Sequence, residues 1–336
     1  MVSLTEVHSS NARILASLPA RLVAVFVGAT SGIGEMTLKQ FAKHVRQPRI
    51  YFSGRSQEAG DRITAECRII NPEGTYIFIR ADLSLIRTVD DVCGEIRSKE
   101  KAVNLLFIST RSLLMHTETS EGLHFFTALA YYSRLRFIEN LLPLLQKATD
   151  LRRVINVSGG PHAGQIHIND FQARNLPLRA LRGHLTSMSI LALETLAKSA
   201  PDVSFIEQSP GIVTTNLGKD ATGLLFTIVQ IVLIILGPLI SISEEESGAR
   251  HLFIATSARY SPAAGEDANS GVPLTDGAAI ARGTTGVSGS GVYAIDWDGE
   301  SASAKAEAIL ANFRQQGIAK VVWDHTEGEF KRITDI

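Results

Sequence analysis

Three glycines stand at the spacing G-x-x-x-G-x-G, as Gly28, Gly32 and Gly34 in the run Val27-Gly28-Ala29-Thr30-Ser31-Gly32-Ile33-Gly34. The chemistry open to such a turn is phosphate binding. Glycine permits a tight strand-to-helix reversal, backbone N–H groups can then approach an anion, and the helix N-terminus adds the positive end of its dipole. A glycine-rich turn alone is a weak signal. This one follows an apolar strand pattern and opens a helical one, the place where a dinucleotide pyrophosphate binds, with Thr30, Ser31 and Ile33 completing the cradle. Groups able to move a proton or steady a negative oxygen come much later, at Tyr131, Tyr132, Ser158, His162, Arg182 and His184.

The elements that must position these residues alternate along the chain. Apolar strand patterns fall at 22–27, 49–53, 75–79, 103–109, 153–157 and 203–208, and helical patterns at 35–45, 57–70, 85–99, 120–146 and 180–199. Strands rich in Val, Ile, Leu and Phe that alternate with helices predict a doubly wound, Rossmann-like parallel sheet of the α/β class, covered by helices on both faces. Past Pro210 the rhythm breaks. A helix is expected over 244–257, a loop or flap rich in Gly, Ser and Thr over 265–291, a short strand at 292–295 and a helix over 301–316, with the placement of 323–336 left open. We expect one domain, with an N-terminal extension at 1–20, the nucleotide-binding core at 21–260 and a C-terminal extension of the same domain at 261–336.

Charge and composition narrow the function classes. The 33 basic and 34 acidic residues are interspersed, so no basic face exists for nucleic acid, and nucleic acid is not expected as a partner. Cys67 and Cys93 are too few for a disulfide framework or a zinc site, so no metal is expected, and the two thiols suit a reducing, cytoplasmic location. The opening residues 1–6 lack a basic start followed by an apolar stretch. Segment 223–240 is almost wholly apolar and reaches the lower limit for spanning a bilayer. The favoured reading is a helical lobe over 220–242 that walls a hydrophobic substrate; peripheral membrane contact through 223–240 is the alternative.

The cradle resembles that of the short-chain dehydrogenase/reductase superfamily, whose fingerprint is T-G-x-x-x-G-I-G; Val27 replaces the leading Thr. The resemblance runs from about residue 22 to 257. It implies a bound nicotinamide dinucleotide, with Asp82-Leu83 beside the adenine, Ser109 at the end of the fourth strand, and Pro210-Gly211-Ile212-Val213-Thr214-Thr215 against the nicotinamide. Thr215 would bond the carboxamide. Where an acidic residue after the second strand would repel a ribose 2′-phosphate, this chain has Phe52-Ser53-Gly54-Arg55-Ser56; Arg55 would pair with that phosphate, which favours NADP(H).

Family members usually place the proton with Asn, Ser, Tyr and Lys, yet Tyr-x-x-x-Lys occurs nowhere in this chain. The resemblance sets Ala130, Gly159, Arg182 and Thr186 at those four positions, with Arg111 where the fourth-strand motif has glycine. Degraded motifs of this kind, together with Tyr131-Tyr132-Ser133-Arg134 and the long C-terminal extension, resemble a fungal natural-product branch. Several substitutes are open. Tyr132 with Arg136 forms an i, i+4 pair in which the cation would lower the phenol pKa, against the plainer reading of a packed aromatic face. His162, followed by Asp170 eight residues on, is either a base at the strand ends or a surface-loop histidine. Arg182 can steady an oxyanion but not donate a proton, and His184 accompanies it. Ser158 is expected to point elsewhere, and His116 and His124 carry less weight. Two functions follow: an NADP(H)-dependent oxidoreductase acting on a hydrophobic carbonyl or alcohol in specialised-metabolite biosynthesis, or a redox-silent cyclase, isomerase or lyase using the same pocket. An oligomer is compatible with either.

Overall fold

Seven parallel strands form one sheet in the order β3-β2-β1-β4-β5-β6-β7. They are β1 Val23–Val27, β2 Arg49–Gly54, β3 Thr75–Arg80, β4 Leu105–Ile108, β5 Arg153–Val157, β6 Ser204–Gln208 and β7 Val292–Ile295. The computed structural model describes residues 1–112, 114–115, 117–213, 242–275 and 277–335. Residues 220–241 of the expected apolar lobe, and with them Thr215 and His116, lie outside the described residues. Among those described, no helix is long and apolar enough to cross a membrane.

The inner strands read as continuous apolar runs because both of their faces are buried. One core holds Phe26, Phe41, Phe52, Phe107 and Phe253 between the sheet and helices α3 (Gly32–His44) and α9 (Glu244–Thr256). The other lies under α5 (Ile86–Lys99), α7 (Ser133–Leu145) and α8 (Leu178–Ser199). On the first face α4 (Gln57–Ile70) packs against β2 and β3. Close approach of α9 to α3 depends on Gly248, where a Cβ would come 2.9 Å from Gln40 Cγ and 3.1 Å from Met36 O.

One expectation is corrected, and two stretches gain structure that the sequence left open. The N-terminal extension is helical: α1 (Leu4–Ala12) and α2 (Ile14–Ser17) follow Ser3, whose Oγ caps Glu6 N at 3.2 Å, and Asn11 Nδ2 donates to Ala249 O on α9 at 2.9 Å. The helix expected over 120–146 starts only at α6 (Phe125–Thr127), since Gly122 turns the chain first with φ +76°. It then runs through a π turn, Ala128–Tyr132, into α7. The C-terminal pattern divides at Gly317, which lies in the left-handed region with φ +72°, into α10 (Ala304–Gln315) and α11 (Ile318–Thr334). Helix α11 packs across α8 and α5, and β7 from the same extension completes the sheet.

Parallel pairing aligns the strand ends. Val27 stands opposite Ser53 and Ile108, Ile108 also opposite Asn156, and Val157 opposite Gln208, so the loops after β1, β4, β5 and β6 leave the sheet at one edge. The chain winds outward from β1 through β2 to β3 and then returns to β4. A crevice opens at that reversal, where ligands of doubly wound sheets bind.

Candidate active site

Two clefts meet along this edge. The first, of about 280 Å³, is lined by Gly28, Thr30, Ser31, Gly32 and Ile33 from the β1–α3 turn, Arg55 after β2, Asp82 and Leu83 after β3, Ser109 after β4, and Pro210, Gly211 and Val213 after β6. Every residue expected around the cofactor is thus brought together here except two. Gly34 sits inside α3, where a Cβ would lie 2.5 Å from Ser109 Oγ, so it sets helix-to-strand packing rather than touching a ligand. Thr215 lies outside the described residues.

The turn is built for a backbone approach. Gly28 and Gly32 hold φ of +78° and +61°, a region costly for residues with a Cβ, and a side chain on Gly28 would meet the Thr110 backbone at 2.9 Å. Ser31, the N-cap of α3, makes no side-chain capping bond, which leaves the first-turn amides of α3 facing the cleft. Asp82 is locally braced: its Oδ1 accepts from Ser84 N at 3.0 Å and from Ser84 Oγ at 2.8 Å. A glycine-walled cradle at a helix N-terminus, with Arg55 on its rim, fits a dinucleotide.

The second cleft, of about 780 Å³, shares Arg111, Pro210 and Gly211 with the first. Its walls include Phe126, Leu181, Leu185, Ile212 and Trp297, and its polar groups Ser158, His162, Arg182, Thr186, Ser209 and Asp296. Ala130, Gly159, Arg182 and Thr186, four positions scattered along the chain, all border it. A Cβ on Gly159 would lie 1.7 Å from Thr186 Oγ1, so a side chain at 159 would require Thr186 to move. That hydroxyl is buried and has no hydrogen-bond partner among the described residues.

The structure separates the proton candidates. Tyr132 is fully buried and borders neither cleft; its hydroxyl pairs with His325 Nε2 on α11 at 2.7 Å. Arg136 does not lower its pKa, because that guanidinium is bound to Asp90 at 2.6 Å, while burial holds the phenol well above its ordinary value. Tyr131 is spent likewise on Thr326 Oγ1 at 2.7 Å. His184 is also withdrawn: Nδ1 accepts from His167 N and Nε2 donates to Phe171 O, both at 3.1 Å. His124 is buried, with Nδ1 2.9 Å from Gln172 O.

His162 and Arg182 do face the second cleft. Burial and then the charge of Arg182 lower the His162 pKa, and the carboxylate opposing this is Asp296. Asp170 is not that partner; its oxygens accept from Arg174 N and Asn175 N at 2.9 Å and close a turn. Arg182 Nη2 donates to Ser209 Oγ at 3.1 Å. Ser158, expected to point away, lines the cleft. It follows the end of β5, two residues past Asn156.

Beneath Ser158 is a buried polar floor that the sequence reading missed. Arg134, on α7, donates through Nε to Leu129 O at 3.0 Å and through Nη1 to Asn156 Oδ1 at 2.6 Å and Val157 O at 2.7 Å, while Nη2 reaches Thr110 O. Leu129 O belongs to the π turn and also accepts from Thr110 Oγ1 at 2.9 Å, so the irregular turn is satisfied by these two side chains. Asn156 Nδ2 donates onward to Glu207 Oε2 at 2.6 Å, and Gly159 N to Glu207 Oε1 at 3.2 Å. Burial raises the Glu207 pKa to about 7, against the pull of Arg134, Asn156, Gly159 and the Ser158 hydroxyl. Burial also draws Arg134 down to about 10. The available signal was a Glu and an Asn inside runs read as fully buried strands, since buried ionisable groups are rare and mark function or a paired network.

Known proteins resemble this chain along nearly its whole length. Oxidoreductase AN1596 from Emericella nidulans is 41% identical over 97% of both chains. The short-chain dehydrogenase/reductase SAT2 from Stachybotrys chartarum is 31% identical over 93% of both. Among solved structures, L-sorbose reductase from Gluconobacter frateurii, complexed with NADPH and L-sorbose, shares the fold with a TM-score of 0.51 at 18% identity, covering 79% of this chain and 98% of that one. No family-level sequence model matches the chain.

Proposed function

This chain belongs to the short-chain dehydrogenase/reductase superfamily, and from that premise we propose that it is an NADP(H)-dependent oxidoreductase interconverting a hydrophobic carbonyl and its alcohol in specialised metabolism. The observation that carries this reading is the meeting of the two clefts at Arg111, Pro210 and Gly211. A dinucleotide laid in the first would bring its reactive end to the mouth of the second. When bound, that group supplies hydride. The protein's part is to hold and orient it. Backbone amides of the Gly28 to Ile33 turn would take the pyrophosphate, Asp82 and Leu83 would flank the adenine, and Ser109, Pro210 and Val213 would border the nicotinamide. Arg55 is the group suited to a 2′-phosphate, as a guanidinium matches phosphate geometry in a bidentate fork.

The second cleft suits a mid-sized apolar substrate, since its volume falls in the usual range of ligand pockets and its walls are aromatic and aliphatic. Its proton would come from a side chain other than a Tyr-x-x-x-Lys pair. One feature favours a redox-silent reaction instead: burial and then the charge of Arg182 lower the Arg111 pKa, so the guanidinium at the shared mouth and the one lining the second cleft could together steady an oxyanion.

Turnover decides between them. Purified protein should bind NADPH with a rise in melting temperature, and with aliphatic or aromatic ketones should consume NADPH in step with alcohol formed. Conversion of substrate without NADPH consumption would establish the redox-silent reaction. Absence of NADPH binding would sink the reductase reading at its first step.

A further inference from the structure

We propose that Arg111 and Arg182 form an anion clamp where the second cleft meets the first, so that the substrate is an apolar acid whose carboxylate they hold. This substrate class rests on the reductase reading above and narrows it. The charge in question stands on the substrate before any reaction, unlike an oxyanion that forms during one.

The charged side chains bordering the second cleft are three arginines, Arg111, Arg134 and Arg182, and two acids, Glu246 and Asp296. Most are already engaged. Arg134 spends its N–H groups on Leu129 O, Asn156 Oδ1, Val157 O and Thr110 O, inside the floor. Glu246 accepts from Arg250 Nε at 2.7 Å. Asp296 turns Oδ1 back to its neighbour, accepting from Trp297 N at 2.9 Å, and makes no ion pair with either remaining arginine. Two guanidinium groups are thus left against one carboxylate. Arg182 makes a single hydrogen bond, to Ser209 Oγ at 3.1 Å, and Arg111 makes none among the described residues. Both residues are exposed, so a ligand can reach their donors.

The two also share a place. Ser209 precedes Pro210 and Gly211, which border both clefts as Arg111 does, so the Ser209 bond brings Arg182 to the mouth where Arg111 stands. Their mutual repulsion agrees with this: after burial, it is Arg182 that holds the Arg111 pKa down. Two like charges without a carboxylate between them gain most from one anion that bonds both, and the guanidinium fork matches a carboxylate edge. A cofactor phosphate is a poorer occupant, because Arg182 borders only the second cleft. Beyond the clamp the walls are Phe126, Leu181, Leu185 and Trp297, which suit an uncharged, apolar body.

The test compares binding of phenylbutyrate with that of its uncharged analogue phenylbutyramide, by titration calorimetry on the full chain at neutral pH. We expect the acid to bind at least about tenfold more tightly than the amide, the scale of a charge-assisted hydrogen bond, and the gap to shrink as salt is added. Arg182→Gln and Arg111→Gln should each remove most of the gap while amide affinity stays within about twofold, which also shows that the cleft has kept its shape. Equal affinities in the wild type, an absence of acid binding, or variants that keep the full gap overturn the proposal. Loss of NADPH affinity in Arg111→Gln with the gap intact would assign that arginine to the cofactor and overturn the pair. Neither probe is a ketone, so the comparison needs no turnover. Failure to consume NADPH with ketones would defeat the reductase reading alone, and loss of the acid preference would defeat the clamp alone.

Discussion

The two clefts are made of different material. The first is a backbone device: left-handed glycines, a helix start that Ser31 does not cap with its side chain, and a rim arginine, all where neighbouring strands end. The second is a side-chain device, resting on Arg134, Asn156 and Glu207, which come from three elements and meet inside the protein. A backbone device tolerates few substitutions, because its geometry is the function. A side-chain device can be rewired, since a proton can be delivered by any suitably placed acid. That contrast would account for a glycine cradle beside Ala130, Gly159, Arg182 and Thr186 at the positions where the resemblance expects the proton-transfer residues.

Predictions that strain the contrast begin with the floor. Arg134→Met removes a buried cation and takes its donors from Asn156 Oδ1 and from the carbonyls of Leu129, Thr110 and Val157; we expect a loss of about 3–5 kcal/mol in urea unfolding. A loss below about 1 kcal/mol would mean the floor does not hold the site together. The effect on the cradle should be smaller and confined to binding. Gly28→Val forces a β-branched residue to φ +78° against Thr110, and NADPH affinity should fall at least about tenfold while the fold persists. Unchanged affinity would remove the pyrophosphate from this turn.

Next comes the choice of cofactor. Arg55→Ala should weaken NADPH by roughly tenfold or more, the scale of a charge-assisted hydrogen bond, and leave NADH within about twofold. Equal losses for both would show that Arg55 does not read the 2′-phosphate. The smallest effect is expected outside both clefts. Tyr132→Phe gives up the His325 bond and should cost about 1 kcal/mol without altering kcat. A large drop in kcat would return Tyr132 to the chemistry.

The floor also predicts the direction of a pH effect. The folded-state pKa of Glu207, about 7, lies above the ordinary carboxylate value of 4.5, so the folded protein holds this proton more tightly than the unfolded chain. Its contribution is fully present below the ordinary value and is lost as pH rises through about 7. Glu207→Gln should flatten that part of the stability profile and make the protein relatively more stable in alkali. A profile identical to wild type would mean the carboxyl is ionised throughout.

The sequence made the sheet and the cradle legible for the same reason. Continuous apolar runs such as Val23–Val27 and glycines at fixed offsets are local signals, and their consequences are local too. The second cleft depended on contacts that cross the chain. Tyr132 reads as a plausible acid until α11 covers it with His325, and His184 until two backbone groups claim its ring. Ser158 reads from its motif register as pointing elsewhere, yet it follows β5 directly and lines the second cleft. The π turn at Ala128–Tyr132 has no clear mark in the sequence, because its freed carbonyl is satisfied by Arg134 and Thr110 from outside the turn.

The separability of the two clefts is tested most directly on Glu207→Gln by measuring NADPH affinity and kcat in the same preparation. We predict affinity within about twofold of wild type and a lower kcat, because Glu207 holds Asn156 and the Gly159 amide beneath the second cleft. Wild-type kcat, or loss of NADPH binding together with kcat, would contradict the account.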